Sequence, residues 1–236
     1  MAIGGYFRSW IERSLKAQLG YADPLDPTKF RLILCTDAVW TAEASITDIL
    51  LTEINNEYGY GRDNYAVAEA DITYDATRKT ATVPIQSWDL TASGASIQWD
   101  GIAMIANAHP NAPTLLESVD PATDTLTLTG HGLANGDRVM LTVDAGGALP
   151  TGVDGTVLYY AVNTSADTFQ VSPSEGGSPM AFSDTGAGDL RLRYGSGELV
   201  AGFRADSIKT IPDGATHTLQ WNFLLMNSAL SSGTSW

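Results

Sequence analysis

LESVDPATDTLTLTGHGLANGDRVMLT, residues 116–142, is a run of short segments punctuated by turn dipeptides, and its reading sets the fold. Asp120-Pro121 and Asn135-Gly136 are turn formers, because Asp and Asn side chains bond their own backbone, Pro fixes φ and Gly admits positive φ. Strands are therefore expected at 114–119, 124–129 and 137–143, each flanked by a turn. The same texture runs on to Tyr194, with strands expected at 156–162, 167–172 and 188–194. From Pro113 to Tyr194 there is no lysine, and ten acidic residues face three basic ones, Arg138, Arg191 and Arg193. Such a stretch reads as a small β-sandwich or barrel in its own right.

Outward on either side the texture changes. Residues 6–19, YFRSWIERSLKAQL, place Phe7, Trp10, Ile11, Ser14, Leu15 and Leu19 on one face at helical spacing, with Gly20 as C-cap. Pro24 and Pro27 break the chain before a strand at 29–36, KFRLILCT, apolar on both faces. Ser45 and Asp48 form a capping-box signature ahead of ITDILLTEI, a helix expected to end near Asn55–Asn56. EYGYGRDNY is a turn, and strands are expected at 65–75, 79–88 and 96–107, with Trp88 and Trp99 anchoring the core. After Tyr194 strand periodicity returns at 197–205 and 216–226, around a turn at 211–215. Two strands seldom fold alone, so they are expected to complete the sheet begun before residue 110. The expected architecture is mainly β: a β-sandwich or barrel host domain (1–112 plus 195–236) with an N-terminal amphipathic helix, and an inserted small β domain (113–194).

Composition narrows the function. The 236 residues carry 13 Lys and Arg against 27 Asp and Glu, a net charge of −14. That argues against nucleic acid, whose phosphates need clustered cations, and against an anionic membrane. No run approaches the length of a membrane span, and no export signal is visible. One cysteine, Cys35, forms no internal disulfide, and one thiol with three histidines makes a poor His/Cys metal cluster. Residues 1–31 hold five basic and three acidic residues, so a slightly basic arm joins an acidic body.

No GxSxG, HExxH, CxxC, Walker or Rossmann pattern is present. Gly59-Tyr-Gly61 and Gly186-Ala-Gly188 are bare GxG triplets, read as turns. His131 between glycines is read as a turn residue bonding backbone, His109 as the hinge into the insert, and His217 as a surface or packing residue. Asp120, Asp124 and Asp137 sit in turns without calcium-loop spacing, so they are read as solvated turn formers. The aromatics at Tyr58, Tyr60 and Tyr65 are read as a subunit contact in preference to a sugar platform.

Two stretches carry a resemblance. The host order, FRSWIERSLKAQL, Leu32–Thr36, Glu53 with Tyr60-Gly61-Arg62, a Trp-bearing strand and a closing Asp213-Gly214 hairpin, resembles small virion proteins of tailed bacteriophages. The insert, with H-G-L-x-x-G-D-x-V at His131–Val139, Leu149-Pro150, Tyr160–Val162 and Asp167–Gln170, is similar to a β module of phage tail, fibre and capsid-associated proteins. The resemblance implies a structural, non-enzymatic virion component without cofactor or metal. Its expected role is a capsid decoration (cement) protein on the major capsid protein, assembled in the host cytoplasm and self-associating as a trimer. It places capsid docking on Phe7, Trp10, Ile11 and Leu15 and a subunit contact on Tyr58, Tyr60 and Arg62. The alternative is a tail, baseplate or fibre component that binds a host-surface glycan through the insert.

Overall fold

In the computed structural model, the residues described are 3–6, 29–37, 41, 44–65, 73–75, 80–82, 86–221 and 224–226. The chain is mainly β, with several antiparallel sheets. A five-stranded sheet has the order β1 (Ile3–Tyr6), β15 (Glu198–Ile211), β7 (Ile97–Ala106), β2 (Phe30–Cys35), β3 (Asp63–Tyr65). Strands β2 and β7 are apolar on both faces over Leu32–Cys35 and Ile102–Ala106, and both faces are covered there. Leu32, Leu34, Ile102 and Met104 meet Trp88 and Leu90 on one side. Ile33, Cys35, Ala103, Ile105 and Leu199 meet Ile49 of α1 (Ile46–Thr52) on the other.

The expected capping box is formed: Ser45 Oγ accepts from Asp48 N–H at 3.3 Å, and Asp48 Oδ2 accepts from Ser45 N–H at 2.8 Å. The helix stops at Thr52, earlier than expected, because Glu53 turns extended (φ −60°, ψ 131°) and bridges Cys35. The 65–75 expectation is divided: β3 lies in the five-stranded sheet, and β4 (Thr73–Asp75) pairs with β5 (Thr80–Thr82). The expected strand 79–88 also divides, into β5 and β6 (Gln86–Thr91), which belong to different sheets. Their partners divide in step, as β17 (Leu224–Met226) and β16 (Thr216–Trp221). Tyr6, expected in the first helix, lies in β1, opposite Ala201. The remainder of that helix lies outside the described residues.

A seven-stranded sheet is drawn wholly from residues 114–194. Its order is β8 (Thr114–Leu115), β14 (Leu190–Tyr194), β11 (Arg138–Val143), β12 (Tyr159–Val162), β13 (Thr168–Ser172), β10 (Thr125–Thr127), β9 (Ser118–Asp120). The expected strand 114–119 is thus two strands on opposite edges, separated by two residues. Leu116 N–H bonds Leu190 O at 2.8 Å, and Glu117 N–H bonds Thr127 O at 3.0 Å. The chain therefore steps from one edge of the order directly to the other, which a flat sheet of seven strands does not permit. Leu126, Val139, Leu141, Phe169, Val171, Leu192 and Tyr194 fill its own core.

Candidate functional site: a buried arginine seam between the sheets

Strand β14 reads Leu-Arg-Leu-Arg-Tyr. Period-two alternation sends Leu190, Leu192 and Tyr194 into the core of the seven-stranded sheet and turns Arg191 and Arg193 to the opposite face. An alternation of this kind ordinarily marks a solvated face, yet all five residues are buried. The arginine face is covered by α1 and the 53–57 segment that follows it.

Arg193 serves the helix. Its Nη1 donates to Leu50 O and to Glu53 O, both at 2.7 Å. The last carbonyls of a helix have no partner within it, and α1 has no basic residue in its last turn. A guanidinium from the other sheet supplies what the helix lacks. Its Nε is fixed by Thr142 Oγ1 at 2.9 Å, and burial pulls its affinity for its proton below the ordinary value.

Glu53, 2% exposed, lies at the centre. Arg62 clamps it in the planar two-bond geometry, Nε to Oε1 at 2.7 Å and Nη2 to Oε2 at 2.6 Å, with neither side chain open to solvent. Arg62 also reaches across, donating to His109 O and Tyr194 O, each at 3.1 Å. Burial opposes the Arg62 charge, but the Glu53 carboxylate more than offsets it and lifts the guanidinium above its ordinary value. Tyr60 Oη donates to Glu53 Oε1 at 3.1 Å and accepts from Leu34 N–H at 3.2 Å, and burial pushes its hydroxyl well up.

At the rim, Arg191 pairs with Asp144 (Nη2–Oδ2 2.8 Å) and Glu57 (2.5 Å). The hydrogen bond from Arg191 holds the Asp144 carboxyl below the usual range. His109 stacks on Tyr194, with ring centroids 4.1 Å apart and planes 9° from parallel. Asn111 N–H bonds its Nδ1 at 3.1 Å, so the proton is on Nε2, which faces Gly132 O at 3.2 Å. Burial holds its pKa below the ordinary histidine value.

The expected motif residues Glu53, Tyr60 and Arg62 are therefore brought together, but inside the chain. Tyr60 and Arg62 are buried, which corrects their placement at a subunit contact: their polar atoms are taken by Glu53 and by backbone of both sheets. Tyr65 is buried too, so of the aromatics expected at that contact only Tyr58 is exposed. Phe7, Trp10, Ile11 and Leu15 lie outside the described residues. His131 takes the expected backbone role, with Nδ1 accepting from Leu133 N–H at 2.9 Å, and His217 is exposed. Asp120, Asp124 and Asp137 each bond a nearby or facing backbone N–H (Ala122, Phe182, Ala134). Among the described residues, no three His, Cys, Asp or Glu gather as metal ligands. Cys35 is buried, and burial pushes its thiol up, which leaves it unreactive. Arg191 and Arg193 were not singled out from sequence, although an arginine alternation in a lysine-free segment was their visible signal.

Comparison of the chain with protein-family models, curated protein sequences and solved structures finds no match.

Proposed function

We propose that the chain is a structural protein of a tailed-phage virion, a decoration (cement) protein on the outer surface of the head. In this reading residues 1–112 and 195–236 form a β body, and 113–194 is an inserted, barrel-like β domain that it carries. The observation that carries it is the seam. Its buried charges are committed to one another and to the backbone of both sheets, so they make a rigid joint and present no reactive group to a cleft. A decoration protein needs such a body, because stiff copies add buried area across capsomer joints without losing order on binding.

The partners in this reading are the major capsid protein and further copies, as a trimer, and the chain has no enzymatic role. Capsid docking belongs to Phe7, Trp10, Ile11 and Leu15. Trp10→Ala should release the protein from heads while the purified variant keeps its unfolding midpoint; a variant that unfolds instead makes Trp10 a core residue. Immunogold electron microscopy on intact virions, with antibody to 113–194, tests location. Gold spread over the head supports decoration. Gold confined to the tail overturns it in favour of a fibre or baseplate component with a glycan-binding insert, and unlabelled virions overturn both.

A further inference from the structure

Five residues other than glycine have positive φ among those described: Asp37, Asn107, Asp124, Asn163 and Tyr58. Four are Asp or Asn, which tolerate the left-handed region through local side-chain bonds. Tyr58, at φ 55°, has no such compensation, and Gly or Asn would hold its turn at lower cost. It is also 47% exposed, so no core packing holds it there.

The turn around it is fixed from several sides. Tyr60 N–H bonds Glu57 O at 2.9 Å, and Ser93 N–H bonds Tyr58 O at 2.9 Å. Gly59 lies so close to Thr91 that a Cβ would sit 2.2 Å from its carbonyl oxygen. One edge of the Tyr58 ring comes near Gly94, where an added Cβ would meet its Cδ1 at 3.9 Å, and the Gly94 N–H is held by Asp213 at 2.8 Å. The neighbouring Glu57 carboxylate is anchored by buried Arg191 and its side chain remains 36% exposed, and that of Asp144, on the same guanidinium, 41%. Leu115, paired with Arg191 across the ladder, is exposed beside them. The patch is thus an exposed aromatic residue on a bonded turn, beside a carboxylate that Arg191 holds from within.

We propose that Tyr58 is the anchor of a docking surface for a basic protein partner, taking an arginine or lysine side chain over its ring with Glu57 as the counter-charge. An aromatic face attracts a cation, and a residue whose backbone is already held by hydrogen bonds loses less freedom on binding. Charge selects the occupant. Two carboxylates, Glu57 and Asp144, share the one guanidinium of Arg191, so the patch keeps a negative excess to which a basic surface is drawn. The strained backbone is the cost of presenting the ring. The inference stands apart from any location in a virion.

The test is an NMR titration of the full chain with an alternating arginine–alanine peptide. Shifts should centre on Tyr58, Glu57 and Gly94. Tyr58→Gly should weaken binding about tenfold or more while holding or raising the unfolding midpoint, Tyr58→Phe should retain binding, and Glu57→Gln should weaken it several-fold. Shifts spread over the acidic turns of 117–189 and indifferent to Tyr58→Gly overturn the proposal. So does unfolding of Tyr58→Gly, which would make the tyrosine structural, or a concentration-dependent dimer that Tyr58→Gly abolishes.

Discussion

Glu53 and Arg62 are nine residues apart and meet with both side chains sealed from water. Their spacing with Tyr60 is visible in the sequence, but its destination is not. A Glu and an Arg beside a Gly-Tyr turn read equally well as surface residues until the chain around them is placed. Removing one partner strands the other charge in a dry site, so Arg62→Met or Glu53→Leu should each destabilise by about 3–5 kcal/mol. The double variant should lose much less than the sum, which urea denaturation of the full cycle will show. His109 supplies the pH dependence. Folded His109 binds its proton less readily than the unfolded chain, whose histidine titrates near about 6.5. Its contribution to stability is therefore complete above that pH and lost as pH falls toward the folded pKa. His109→Gln should flatten the decline that sets in below about pH 6.5, read as denaturation midpoints above and below that pH. An unchanged slope would place the decline in other groups.

Among elements, α1 shows where local signals suffice and where they stop. Ser45 and Asp48 announce its start because a cap is made from residues three apart. Its end is not local, since the group that satisfies its final carbonyls is Arg193, more than 140 positions along the chain. Arg193→Met should leave two buried carbonyls unbonded and lower stability by roughly 2–5 kcal/mol, with faster amide exchange confined first to 46–53. The strands tell the same story. β2 and β7 were legible because Leu32–Cys35 and Ile102–Ala106 within them are buried on both faces, so a short apolar run marks each. β5 and β6 were merged, as were β16 and β17, because periodicity does not register a change of sheet. At the 57–60 turn, Gly59→Ala places a methyl into Thr91 O at φ 89° and should cost more than about 2 kcal/mol. Gly130→Ala, at φ 65° with open space around it, should cost only about 1 kcal/mol. Equal losses in thermal denaturation would contradict the close approach at Gly59.

At the scale of the molecule, each large sheet has its own apolar core, and the two are joined by three arginines, two of them from one strand. The change of texture at 113 and 194 was legible because composition changes there, whereas the joint was not, because its residues come from distant segments. The joint makes the two sheets cooperative, and differential scanning calorimetry of the full chain tests that most directly. One endotherm is expected, with equal calorimetric and van't Hoff enthalpies, dividing into two when Arg193→Met and Arg62→Met are combined. Two separate endotherms in the unaltered chain would contradict it, leaving two sheets that touch without being coupled.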